Sequence, residues 1–216
     1  DDMQWLYFIA LKLFGAQKNW CLNQAAKAAS SPKDMVRKIY RSILGEDCHS
    51  EAFIKQYRER KQLLQQMFDV EDDAEVIDYI KMTKRHQRDA MRYLTNNTKL
   101  EKEAVVELIS VYAEEYTPQE LRSILEEVYP DLAYYLDEYS FPGYTWLDAY
   151  FSEYRYSKVT NRITPGLRKM AQQQAVDHDF LKILPRIAVV DRMPKNGTFL
   201  FFVDAMGVEF IPYIVG

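Results

Sequence analysis

The residue with the clearest chemical setting is Asp204. It follows an apolar run, Phe199-Leu-Phe-Phe-Val203, which itself follows the turn signal Lys195-Asn-Gly197. A short apolar run of this kind predicts a fully buried strand over 198–203. In open α/β sheets ligands gather at the carboxyl ends of strands, where the loops diverge. A carboxylate at that point must be hydrated, hydrogen-bonded or bound to a cation, because an isolated buried charge is costly. Divalent cations accept such oxygen ligands. Capping the turn or helix that follows is the other common use of an Asp there. Gly207 allows close backbone approach just beyond, and Glu209 adds a second acid.

Other reactive side chains are sparse. There are two cysteines and three histidines, too few for a dense zinc framework. Cys48-His49 could begin a metal site, but no second pair stands at ligand spacing. No G-x-S-x-G motif occurs, and the acidic pairs Glu114-Glu115 and Glu126-Glu127 fall on solvent-facing positions of amphipathic helices. Lys81, Lys84, Arg85, Arg88 and Arg92 make the one notable basic surface. It reads either as a solvated helix face or as a surface for nucleic acid or an acidic partner. The net charge of −4 gives no global cationic field to draw DNA or an anionic membrane.

The elements that must position these residues are mostly helical. With 48% hydrophobic and 28% charged residues in 216, the composition is that of an ordered globular protein. Residues 3–14 are apolar around most of the helical circumference and predict a helix buried on several sides, stopped at Gly15. A second helix is expected from Trp20 to Ala29. Ser31-Pro32 opens a third, with Met35, Val36, Ile39 and Ile43 on one face. Ser50 begins a fourth, whose run Lys55–Lys61 reads as its solvated face. A fifth charged helix spans about 73–94. Capping boxes at Thr98–Glu101 and Thr117–Glu120 start helices over 99–115 and 118–128, and a short helix follows at 132–139.

Half of the sixteen tyrosines lie between Tyr129 and Tyr156, interleaved with acids that would repel phosphates. Their rings are expected to pack with the hydroxyls at the rim. Thr145 is expected to cap a helix in which Trp146, Tyr150, Phe151 and Tyr154 share a face, and Thr164-Pro165 to open the next. The segment 184–191 fits a short helix or a strand. No stretch is long and apolar enough to span a bilayer and no signal peptide is evident, so the expected location is cytoplasmic, without membrane contact. The fold class is therefore mainly α: a multi-helix array leading into the first strand of a truncated α/β domain. The divisions are a helical domain over 1–140, a helical segment over 141–195, and a first strand with its following turn over 196–216.

Four stretches taken together, Trp146–Lys158, Asn161–Thr164, Leu184-Pro-Arg186 and Phe201-Phe-Val-Asp204-Ala-Met-Gly-Val-Glu209, resemble the entry into a PglZ domain. That family belongs to the alkaline-phosphatase superfamily and occurs in bacteriophage-exclusion (BREX) defence systems. The resemblance covers about the last seventy residues. It implies that Asp204 ligates one of two divalent metals, zinc or manganese/magnesium, in a phosphoester hydrolase whose nucleophile and remaining ligands lie beyond Gly216. This segment alone would bind no metal and be inactive, serving as a scaffold or docking region for other components of the defence system. A non-catalytic helical interaction module, binding protein or nucleic acid, is the alternative.

Overall fold

The computed structural model describes residues 2–16, 18–66, 73–183, 191–193, 196–197, 199 and 206–215. The protein is mainly α, and among the described residues no strand occurs. Of the strand expected at 198–203 only Phe199 is described, and Asp204 lies outside the described residues. The chain divides into two compact units, Asp1–Pro130 and Asp131–Gly216.

In the first unit α1 (Asp2–Phe14) ends where expected, at Gly15, whose φ of +68° is the left-handed conformation that closes a helix without a Cβ penalty. Its burial departs from the sequence reading. Phe8 is the one buried residue of α1, while Trp5, Leu6, Ile9, Leu13 and Phe14 are exposed. The apolar circumference exceeds what α2 and α3 cover.

α2 (Trp20–Ala28) and α3 (Pro32–Arg41) form a hairpin with clear local causes. Asn19 Oδ1 accepts from Leu22 N at 2.8 Å, Ser31 Oγ accepts from Asp34 N at 3.1 Å, and Pro32 holds the first helical position. The small side chains of Ala25 and Ala26 are buried, which lets the backbones approach.

α4 (Glu51–Gln66) overturns the reading of Lys55–Lys61 as a solvated face. Tyr57 and Arg60 are buried, Arg60 completely, and Lys61 is half-buried. Phe53, Tyr57, Arg60 and Leu64 recur at helical spacing and point into the core together. The Arg60 side chain ends among polar partners. Its Nε donates to Tyr40 O at 3.1 Å and its Nη1 to Tyr93 O at 3.2 Å. The guanidinium lies 4.5 Å from the ring centre of Tyr79, within cation–π range. Its Nη2 has no hydrogen-bond partner and stands 4.0 Å from Glu101 Oε1.

The continuous helix expected at 73–94 is instead α5 (Asp73–Thr83) followed by 3-10 turns over Lys84–Tyr93, with a break at Gln87 (φ 52°, ψ −124°). An unbroken helix would set residues 79 and 93 about 21 Å apart along its axis. The bend instead brings Tyr93 O within 2.6 Å of Tyr79 Oη, which donates to it. Tertiary bonding to a buried carbonyl outweighs helical continuity here.

α6 (Lys99–Tyr112) realises half of its expected capping box. Thr98 Oγ accepts from Glu101 N at 3.0 Å, but Glu101 does not return to the Thr98 amide. Its carboxylate accepts from Thr95 N at 3.0 Å and Thr95 Oγ at 2.9 Å, and it is fully buried facing Arg60. The helix passes into a 3-10 turn at Ala113–Glu115 rather than running on to 115. α7 (Pro118–Val128) carries the complete box at Thr117 and Glu120.

In the second unit α8 (Pro130–Tyr135) is shorter than the expected 132–139 helix and shifted toward Pro130, which as a first-turn residue favours an early start. α9 (Thr145–Thr160) starts without a side-chain cap from Thr145. Asp148 holds the preceding loop instead, accepting from Phe141 N at 2.7 Å. The face Trp146, Tyr150, Phe151 and Tyr154 is half-buried, while Leu147, Arg155, Ser157 and Thr160 are the buried positions. Thr164 caps α10 (Pro165–Asp177), accepting from Leu167 N at 3.0 Å. A short terminal helix, α11, covers Ile211–Val215.

Burial raises the Glu101 pKa above the ordinary carboxylate value, with Arg60, Thr95 and Thr98 pulling it back down. The folded chain therefore keeps this proton to a higher pH than the unfolded chain, and stability falls as pH rises between the two values. Removing Arg60 raises the folded value further and widens that window. Arg60→Met is expected to lose about 3–5 kcal/mol at pH 7 and clearly less at pH 5, measured by denaturant titration. Equal losses at the two pH values would show that Glu101 is not the group left unpaired.

Candidate functional site

The residues singled out by sequence fall in three places. The basic run does not form a free cationic stripe. Lys84 Nζ pairs with Glu107 at 3.0 Å, and Arg85 Nη2 donates to Leu44 O at 3.2 Å. Arg88 Nη1 donates to Glu115 O at 3.1 Å and its guanidinium lies 5.0 Å from the Tyr116 ring centre, while Tyr116 Oη donates to Arg88 O. Arg92 pairs with Asp89 at 3.2 Å, and Lys81 is exposed. Three of the five cations thus tie the 3-10 segment to its neighbours, and Arg92 pairs within it.

Asp47, Cys48 and His49 bring one ligand atom each within 4.8 Å of one another. The turn already uses these groups: Asp47 Oδ1 accepts from His49 N at 2.9 Å, and His49 Nε2 lies 3.2 Å from Asp89 Oδ2. Burial, then the neighbouring Asp89, push the Cys48 thiol pKa up. A metal ligand must be the thiolate, so this environment works against coordination. The group is best accounted for as a hydrogen-bonded turn.

Near the carboxyl end, Glu209 is buried and folds back over Gly207, where an added Cβ would stand 2.1 Å from its Oε2. Lys158 Nζ lies 3.7 Å from Glu209 Oε1. Gly207 thus leaves room for the Glu209 carboxylate, which pairs with Lys158 of α9. Asp204, the expected metal ligand, is outside the described residues.

Residues 1–112 match a family model described as a domain of unknown function (DUF7863). The chain belongs to the DUF7863 family. The match ends on the last residue of α6, so the DUF7863 region contains both Arg60 and Glu101. It does not overlap the stretches 146–209 that carry the PglZ resemblance. No curated protein and no solved structure matches the chain.

Sequence reasoning missed two features. Arg60 was legible in the spacing 53, 57, 60, 64, since an Arg in register with three large apolar residues shares their face. The exposure of α1 had no such signal, because an apolar helix reads alike whether its cover is in the same chain or in another. The surface it leaves is continuous along one helix and carries two charged residues, Asp2 and Lys12. Lys12 Nζ lies 5.3 Å from the Phe8 ring centre.

Arg88→Ala removes a charged hydrogen bond and a ring contact that anchor the 3-10 segment. It is expected to cost about 1 kcal/mol of stability, seen as a lower denaturation midpoint. An unchanged midpoint would mean that these contacts do not hold the segment.

Proposed function

We propose that the chain is a helical docking module and that α1 is its docking surface. The observation that carries this is the exposure of Trp5, Leu6, Ile9, Leu13 and Phe14 on one helix. Contiguous apolar surfaces of this kind on soluble proteins mark interaction sites. The 13 residues of α1 extend about 20 Å, the scale of a helix-in-groove contact. With Lys12 as its one cation the surface suits an apolar protein face rather than phosphates.

In this reading the protein to which the module belongs is a PglZ-like, divalent-metal-dependent phosphoester hydrolase of a bacteriophage-exclusion system. The supports are the four stretches between Trp146 and Glu209 quoted above. Asp204 supplies one metal ligand there, the module contributes no catalytic residue, and the docked partner is another component of the defence system.

Leu6→Asp combined with Leu13→Asp is expected to abolish both phage restriction and a photo-crosslink from position 9 to a defence component, with helix content by circular dichroism unchanged. Retention of restriction and crosslink would sink the docking reading. Separately, Asp204→Ala in the hydrolase is expected to remove metal-dependent phosphoesterase activity; persistence of that activity would refute the ligand role of Asp204 without touching α1.

A further inference from the structure

The two charged residues of α1 stand at opposite ends, Asp2 in the first turn and Lys12 in the last. Both are exposed. Leu6, Ile9 and Leu13, also exposed, are spaced three and four residues apart, the interval that keeps side chains on one stripe of a helix. Phe8 lies off this stripe and is the residue that the unit buries.

The stripe and the charges share one centre. A two-fold axis that sets Leu6 against Ile9 of a second copy crosses the helix between positions 7 and 8, and one that sets Asp2 against Lys12 crosses it at position 7. At 1.5 Å per residue the two axes differ by less than about 1 Å. Antiparallel pairing therefore closes the apolar stripe and two opposite-charge contacts in a single register. Parallel pairing would set Asp2 against Asp2 and Lys12 against Lys12. A two-fold contact uses the same patch on both copies, so it needs no surface besides α1. Its extent is limited, since a helix about 20 Å long and about 10 Å across presents well under the about 800 Å² per partner of a standard interface. Such a contact dissociates readily and yields to a competitor.

We propose that a second copy of this chain covers α1, antiparallel and two-fold symmetric, until the docking partner displaces it. Self-pairing keeps an apolar helix out of water and away from wrong partners when the right one is scarce. The end charges set orientation and register, while the apolar stripe supplies the affinity. The masking role rests on the docking reading of α1; the pairing itself does not.

The test uses the whole chain with a photo-crosslinking residue at position 9. Alone, it is expected to form a dimer that dissociates on dilution in sedimentation velocity, with the crosslink falling near position 6 of the second copy. Lys12→Asp, which sets like charges at both ends, is expected to weaken the dimer several-fold, and addition of Asp2→Lys to restore it, with helix content by circular dichroism unchanged. The defence component that position 9 captures is expected to replace the dimer crosslink as it is titrated in. A crosslink from position 9 to position 9, no rescue by the double exchange, or a dimer that persists in Leu6→Asp combined with Leu13→Asp would overturn the pairing. A chain that stays monomeric at every concentration yet crosslinks to a defence component would overturn it too and leave the docking reading standing. A dimer that captures no component would do the reverse, removing the masking role with the docking reading.

Discussion

A non-helical stretch, Leu94 to Thr98, follows the last 3-10 residue Tyr93 through the interior of the first unit, and the backbone groups there have to be satisfied. Leu94 and Thr95 are fully buried. Buried amides and carbonyls outside a helix cannot bond along their own element, so other elements must supply partners. Four helices do. Tyr79 of α5 and Arg60 of α4 both donate to Tyr93 O, Tyr57 of α4 donates to Leu94 O, and Glu101 of α6 accepts from Thr95 N. Tyr40 O of α3 accepts from Arg60 Nε on the other side. The charges of Arg60 and Glu101 sit where this demand concentrates.

This arrangement explains departures from local rules that look unrelated. The Thr98 capping box stays incomplete because the Glu101 carboxylate is drawn to Thr95. The helix from Asp73 breaks at Gln87 because Tyr93 O must return to Tyr79 and Arg60. The charged run in α4 turns one of its arginines inward for the same reason. Leaving a buried polar group unsatisfied costs about 1–3 kcal/mol, comparable with a lost cap or a single unfavourable backbone conformation, and several such groups are satisfied here together.

Both units contain an arginine buried to about 1% or less, with opposite settings. Arg60 is enclosed by carbonyls, tyrosine rings and a carboxylate, and the arrangement is internal to the DUF7863 region. Arg155 lines a cavity with two donors unmet. The first arginine organises a core; the second leaves two of its buried donors unpaired. α1 adds a third kind of feature, an apolar face that the rest of its unit leaves uncovered.

Helices whose ends are written in local chemistry were legible in the sequence. The Ser31-Pro32, Thr117–Glu120 and Thr164-Pro165 starts, the stop at Gly15, and the mainly α class follow from hydrogen bonds and dihedral preferences within a few residues. Asp204 and the strand before it were legible as a pattern, but they lie outside the described residues. The burial of Arg60 was half legible, in its register with Phe53, Tyr57 and Leu64. The tertiary structure alone decided which acceptors Arg60 meets, that Glu101 abandons its cap, that four cations of the 81–92 run serve internal contacts, and that Arg155 keeps unmet donors beside a cavity. Each of these depends on atoms brought together from positions distant in sequence or from a loop folding onto a helix. Periodicity reports which face of a helix is apolar, and it carries no information on what stands opposite.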